Sequence, residues 1–390
     1  MALPSAFAQL IPGASVTRAP HAGRGPPGSP GDVDGKHLAR ALREAHRGVG
    51  RTAPNPPVGA VVARGRDVLG VGFHPRAGER HGEIVALDDA LARGARVQGA
   101  TLYVTLEPCV HFGRTPPCTR RVIAEGIARV VIGALDPSAR VHEKGVAELR
   151  AAGIAVEVAA GPLADECAAL VAPFAACTAT GGRAYTVLKI ASSLDGRVGP
   201  GFITGEPARA LVHRLRDAVD AVIVGAGTVL ADNPALTVRA VEGRDPQRIV
   251  VDRRLRTAPR ARVFAGLTPP APADRPAALV VHAGAAADRL RAFDEAGVAR
   301  LALPGADGRV DLPALLRALP ARGVLAALVE AGPGLATALL RAGLVDELWW
   351  LTAPRLVGAD GVPAGGVGQT LEVLHRAIIG DDALVVARIP

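Results

Sequence analysis

His81, Glu83, Cys109 and Cys118 are the side chains of this 390-residue chain whose types and spacing could do chemistry together. One imidazole and two thiolates make a three-ligand zinc site with a fourth position left for water, the pattern of a catalytic zinc. Zinc there lowers the pKa of bound water toward ~7. Glu83, two residues from His81, is placed to move protons without coordinating. Two blander readings compete. The cysteines could be core thiols beside surface polar residues, or His111 could close a structural zinc as the fourth ligand. An H-x-E arises easily by chance; an H-x-E before a strand, then Glu107-Pro108-Cys109 and a second cysteine after a loop, does not.

The elements around these residues follow from apolar periodicity. His37–Arg47 has helical spacing, Val58–Ala63 reads as a buried strand, and VLGVGFH as a second strand. His81-Gly82-Glu83 opens a helix through Leu91. TLYVTL (Thr101–Leu106) is a strand leading into Cys109, and a helix over Thr119–Glu125 follows Cys118. Strands at Arg129–Ala134 and Ile154–Val158 flank a helix at Gly145–Ala152. An alanine-rich helical stretch, Leu163–Thr180, ends at the linker Thr180-Gly181-Gly182. A second series alternates in the same way: strands at Tyr185–Ile190, Ala221–Gly225, Arg248–Asp252, Ala278–His282, Val324–Glu330 and Glu347–Thr352. Its helices lie at Ala208–Arg216, Leu312–Ala318 and Leu335–Ala342. Such alternation predicts two α/β domains with parallel or mixed sheets. The expected division is a disordered Pro/Gly-rich extension over 1–33, a first domain over 34–180 and a second over 181–390.

Composition narrows the function. Hydrophobic residues are 49% and charged ones 21%, ordinary for a soluble globular chain. No stretch reaches the ~18 uncharged apolar residues of a membrane helix. The first residues lack a basic start and are broken by Pro4 and Pro12, against a secretory signal, so a cytoplasmic protein is expected. Cys167 and Cys177, with no histidine nearby, read as reduced buried thiols. The net charge of +8 raises a nucleic-acid reading. However, the chain carries 20 basic and 16 acidic residues up to 180 and 25 and 21 beyond it, and aromatics are only 3%. Neither a basic arm nor a base-stacking platform is present. The basicity is nearly all arginine; the lysines are Lys36, Lys144 and Lys189.

H-x-E followed by P-C resembles the zinc deaminases, in which a zinc-activated water attacks an amino-bearing ring carbon. The departure is spacing, nine positions from Cys109 to Cys118 where the generic motif has three. HGEIVAL and TLEPCVHFGRTPPCTRRVIAEGIARVVIGALDP resemble more specifically the bifunctional riboflavin-biosynthesis deaminase–reductases. There the long insert ending GRTPPC is the rule. NPPVGAVV (Asn55–Val62) resembles that family's N-P-x-V-G segment, and the resemblance implies that Asn55 lines a pyrimidine pocket. LKIASSLDGR, GAGTVLADNPALTVR, RIVVD and LVEAGPGLATALLRAGLVDEL resemble the family's reductase domain, in the same order along the chain.

The resemblance implies a cytidine-deaminase-like domain with zinc, then a dihydrofolate-reductase-like domain using NADPH, acting on a phosphoribosylaminopyrimidine. His81, Cys109 and Cys118 would hold zinc, with Glu83 catalytic. Ala191, Phe202, Thr228, Asp232 and the turn Gly332-Pro333-Gly334-Leu335-Ala336-Thr337-Ala338 would contact NADPH. A Gly-Pro-Gly between strand and helix also suits a phosphate by its free N–H groups, although an ordinary turn reads the same way. Lys189, Arg216, Leu236, Arg239 and Glu330 would contact substrate, the arginines answering its phosphate. A homo-oligomer, dimer or tetramer, is expected, with neither nucleic acid nor membrane as partner. Departures fall at Gly82, where alanine is usual; at 198–203, a loop about five residues short that lacks the substrate-holding serine and has Phe202 in place of a tryptophan; and at Arg253, where a small polar residue is common. The short loop motivates a second reading, a deaminase with an impaired reductase domain.

Overall fold

The computed structural model describes residues 3–12, 30–112, 116–199, 201–265 and 277–389. The chain divides into two compact units, the first running up to Thr180 and the second from Gly181, with residues 10–12 grouped with the second.

The first unit runs α1 (Pro30–His46), β1 (Gly59–Arg64), β2 (Asp67–Phe73), α2 (Gly82–Ala92), β3 (Thr101–Val104), α3 (Cys118–Ala124), β4 (Arg129–Ile132), α4 (Lys144–Ala151), β5 (Ala155–Val158), α5 (Pro162–Leu170) and α6 (Ala172–Thr178). Its sheet has the order β2-β1-β3-β4-β5. β1 pairs antiparallel with β2 and β3, whereas β3, β4 and β5 are parallel. The apolar runs of β1, β3 and β4 are buried, as expected of strands covered on both faces. Helices come very close to this sheet. A Cβ at Gly59 would lie 2.1 Å from the Ala41 carbonyl of α1, and one at Gly72 would lie 2.4 Å from the Ala86 nitrogen of α2. Only glycine permits both approaches, and the second brings the start of α2, with His81 and Glu83, against the sheet.

The second unit runs β6 (Tyr185–Ser193), β7 (Arg197–Val198), α7 (Glu206–Ala218), β8 (Ala221–Gly225), α8 (Ala226–Asp232), β9 (Gln247–Val251), β10 (Ala278–His282), α9 (Ala287–Glu295), β11 (Ala299–Ala302), α10 (Leu312–Ala318), β12 (Ala326–Val329), α11 (Pro333–Arg341), β13 (Glu347–Ala353), β14 (Val362–Pro363), β15 (Glu372–Ile379) and β16 (Asp382–Arg388). The main sheet has the order β11-β10-β9-β8-β12-β6-β13-β16-β15. Strands β11 to β13 in that order are parallel; β16 and β15 form an antiparallel hairpin at the edge. Leu188, Ile223, Ile249, Val281 and Leu348 are among the residues filling its core.

Several expectations need correction. Residues 3–12 belong to the stretch read as a disordered extension, yet Ala8–Leu10 form a 3₁₀ turn and Phe7 and Ile11 are buried. Helix α1 begins at Pro30, inside the same stretch; residues 13–29 lie outside the described residues. The alanine-rich helix is broken at Val171 into α5 and α6, with Pro173 in the first turn of the second helix, where its missing N–H costs nothing. Thr228 and Asp232 both lie in the short helix α8. Elements α9, β11, β15 and β16 were not anticipated. No helix among the described residues is long and apolar enough to cross a membrane.

Candidate active site

In the first unit the start of α2, the segment after β3 and the start of α3 converge. Nδ1 of His81 lies 3.3 Å from Sγ of Cys118 and 3.6 Å from Sγ of Cys109. The three donor atoms fall within 4.8 Å of one another. Bond lengths of ~2.1 Å to nitrogen and ~2.3 Å to sulfur give a zinc tetrahedron edges of roughly 3.5–3.8 Å, so the donors fit zinc. The backbone N–H of Cys118 donates to Cys109 Sγ at 3.4 Å. The contact between the two thiols, together with His81, lowers the Cys109 thiol against burial, while the same contact and burial raise Cys118, so one thiolate is favoured by the protein alone.

Glu83 is 2% exposed, and its Oε2 has no hydrogen-bond partner. Burial pushes its carboxyl up to about 7, against the pull of His81. A buried carboxyl with an unused oxygen beside an open three-donor cluster is suited to carry a proton. His111, the alternative fourth ligand, is exposed and does not join the donor cluster.

The cluster opens into a cavity of about 420 Å³ whose wall includes Asn55, His74, Ser138, Arg140 and Phe174. Asn55 is held in place. His74 Nδ1 donates to the Arg80 carbonyl at 3.1 Å, which leaves Nε2 to accept from Asn55 Nδ2 at 3.1 Å. Burial lowers the His74 pKa, in keeping with this neutral tautomer. Asn55 therefore keeps its carbonyl oxygen for a ligand. The sequence reasoning missed His74, Asp136 and Phe174. Each depends on tertiary placement: Phe174, for instance, reaches the cavity because α6 turns away from α5 at Val171.

In the second unit Arg216, from α7, makes a two-pronged pair with Glu330, just after β12: Nε to Oε1 at 2.5 Å and Nη2 to Oε2 at 3.0 Å. Its Nη1 donates to the Thr237 carbonyl at 3.0 Å. Lys189 Nζ of β6 stands 4.0 Å from Glu330 Oε2. Burial pushes Glu330 up, but the Arg216 charge and hydrogen bonds outweigh it and hold the carboxyl at about 2. Burial lowers the Lys189 pKa, with Glu330 opposing and Arg216 adding. The Arg216 fork, expected to face a phosphate, is thus engaged within the protein. Leu236 is buried at φ 56°, a left-handed backbone that costs a leucine about 1–2 kcal/mol. Three residues on, the turn is pinned: His213 Nδ1 accepts from the backbone N–H of Arg239 at 3.0 Å and of Ala240 at 3.4 Å. His213 was also missed.

Of the residues expected at a cofactor, Thr228 and the turn at Gly332 come together: a Cβ at Gly332 would lie 3.7 Å from Thr228 Oγ1. Gly332 caps α11 in extended conformation with Pro333 in the first turn, leaving the helix-start N–H groups open to an anion. Leu335 packs against Gly225 at the end of β8, and Ala336 is buried beneath. Thr337 lies in the same helix; its Oγ1 would be 3.1 Å from a Cβ at Gly365. Gly334 and Ala338 complete the turn and the helix that follows it. Asp232 ends α8, and Ala191 is two residues beyond Lys189 on the same face of β6. These positions cluster at the carboxyl ends of β8, β12 and β6, where open α/β sheets bind ligands. Phe202 is 71% exposed, with the Arg209 guanidinium 4.7 Å over its ring.

Residues 184–384 match the RibD C-terminal domain, and residues 32–134 match the cytidine and deoxycytidylate deaminase zinc-binding region. The riboflavin biosynthesis protein RibD of Escherichia coli is 40% identical over 345 residues, covering 84% of this chain and 89% of that protein. The chain belongs to the RibD family. RibD of Aquifex aeolicus is 36% identical over 91% of this chain and 98% of its own. Among solved structures, Acinetobacter baumannii RibD superposes with a TM-score of 0.79 at 33% identity, covering 92% of this chain and 99% of the other. The Thermotoga maritima diaminohydroxyphosphoribosylaminopyrimidine deaminase/5-amino-6-(5-phosphoribosylamino)uracil reductase gives 0.79 at 34% identity, covering 91% and 98%. This RibD chain therefore joins a zinc-binding deaminase domain to a RibD reductase domain, and both activities go with the family.

Proposed function

We propose that residues 34–180 hydrolytically remove the ring amino group of 2,5-diamino-6-(5-phosphoribosylamino)pyrimidin-4(3H)-one. Residues 181–390 then reduce the ribosyl group of 5-amino-6-(5-phosphoribosylamino)uracil to ribityl. The observation that carries the first step is the unpartnered Glu83 oxygen beside the His81–Cys109–Cys118 donors.

In the deaminase domain these three residues would hold zinc, which would supply Lewis acidity toward the hydrolytic water. Glu83 takes the proton from the attacking water and delivers it to the departing nitrogen, so that ammonia leaves instead of an amide anion. Asn55, fixed by His74, offers its carbonyl oxygen to the pyrimidine edge. Glu83→Gln is the test: it retains one zinc per chain and lowers kcat for deamination by about 10²–10⁴. A variant that deaminates at the wild-type rate contradicts the assignment.

In the reductase domain NADPH supplies the hydride. Thr228, Asp232 and the Gly332–Ala338 turn would hold the dinucleotide, the open N–H groups at the start of α11 being suited to its phosphate charge. Ala191 and Phe202 belong to the same site. Lys189, Arg216, Leu236, Arg239 and Glu330 hold the substrate. The Arg239 guanidinium, without a hydrogen-bond or ion-pair partner among the described residues, takes the phosphate, while Arg216 stays paired with Glu330. A homo-oligomer in the cytoplasm, with small-molecule substrates and neither nucleic acid nor membrane as partner, completes the proposal.

A further inference from the structure

We propose that Glu107 is a positioning residue of the deamination reaction, holding the substrate-facing loop 136–146 against the segment that carries Cys109. The inference rests on the deaminase reading of the cavity. Glu107 is 3% exposed, and its carboxylate accepts four backbone N–H bonds from that one loop. Oε2 takes Asp136 at 3.2 Å and Glu143 at 3.0 Å; Oε1 takes Gly145 at 2.8 Å and Val146 at 3.2 Å. The last two amides belong to the first turn of α4, whose open N–H groups and dipole favour a carboxylate. The Glu107 N–H in turn donates to the Ala134 carbonyl at 2.9 Å, fixing this residue between the ends of β3 and β4.

The fit is close on the loop side as well. A Cβ at Gly145 would lie 2.3 Å from the Pro108 carbonyl and 3.0 Å from Glu107 Oε1, so the loop can seat itself only through glycine. Between the clamped ends, Asp136, Ser138, Arg140 and Val141 face the cavity. Glu143 adopts φ 61°, a left-handed turn that directs its N–H to Glu107. Glu107 therefore acts through the loop. A carboxylate is needed because all four partners are donors; an amide in its place presents two hydrogens to donors and loses half the clamp.

The test is Glu107→Gln in the full-length, zinc-loaded protein. KM for the phosphoribosylaminopyrimidine should rise at least tenfold with kcat within about threefold, and zinc should stay at one per chain. Hydrogen–deuterium exchange should accelerate across 136–146 at least tenfold and leave the Cys118 segment unchanged. Gly145→Ala, which pushes the loop off from the other side, should reproduce the KM effect should the Gln variant not fold. A KM within twofold of wild type with those amides still protected overturns the proposal. So does loss of zinc from the Gln variant, which would place the role of Glu107 at the metal rather than at the loop. A wild-type protein that does not deaminate contradicts the deaminase reading instead, and the exchange experiment then decides the clamp on its own.

Discussion

The two sites differ in how far their charged groups are already satisfied. In the first unit, three donors stand within 4.8 Å of one another and the Glu83 carboxyl keeps an oxygen without a partner. In the second, Arg216, Glu330, the Thr237 carbonyl and Lys189 close upon one another in a buried network. The first arrangement offers donors to a small ion and a group to carry a proton. In the second the charges already satisfy one another, so its substrate must bind beside existing pairs or exchange for them. The deaminase site should thus depend steeply on single donors, whereas the network of the reductase site should matter to stability as much as to turnover.

The largest effect that would sharpen this contrast is expected from Cys118→Ala. It removes one of three donors, should empty the zinc site and should abolish deamination, while NADPH binding stays within about twofold. Metal analysis beside a dinucleotide titration checks it. Loss of both functions together would break the contrast.

Next in size is Glu330→Gln. It leaves the buried Arg216 and Lys189 charges without their counter-charge, and breaking one partner of such a network costs about 3–5 kcal/mol. Urea unfolding followed in the full chain should register that loss in the second unit, with deamination unchanged. Unaltered unfolding would show that the network contributes nothing.

A smaller effect follows from pH. The Glu330 carboxyl is held at about 2 in the folded state against its ordinary 4.5, so the unfolded state binds the proton more readily. Its stabilising contribution is complete above pH 4.5 and is lost as pH falls from there toward 2. Wild type should therefore lose stability over that window more steeply than Glu330→Gln, as thermal unfolding at stepped pH would register. Parallel curves would contradict the assignment.

Much of the first site was legible because its donors occupy element starts. His81 precedes α2 and Cys118 begins α3, and helix beginnings can be read from apolar periodicity. The nine-position spacing of Cys109 and Cys118 told less by itself, since a loop can close at any of several lengths at similar entropic cost. The alternating strands and helices of the second unit were readable for the same periodic reason. Its edge hairpin, β15 and β16, was not: its half-exposed strand lacks the continuous apolar run of a covered one. The pairing of Arg216 with Glu330 joins residues 114 positions apart and carries no local signal. Glu107 and His213 escaped for a related reason. Each works by accepting backbone N–H bonds from a distant loop, and backbone donors look alike in every sequence.

The short 198–203 segment bears on whether both domains work. Arg197 and Val198 pair with Pro363 and Val362, and the Asp195 carboxylate accepts the N–H groups of Val357 at 3.1 Å and Gly358 at 2.8 Å. The start of that segment is thus tied to a neighbouring loop despite its reduced length.

The most direct measurement is a mass-spectrometric time course of the purified, zinc-loaded protein on the phosphoribosylaminopyrimidine, with and without NADPH. The account predicts that the amino group is replaced by oxygen in both reactions and that two further hydrogens are gained only with NADPH. Deamination that stops there, with NADPH unspent, would contradict the claim that one chain performs both steps, and no deamination at all would contradict its foundation.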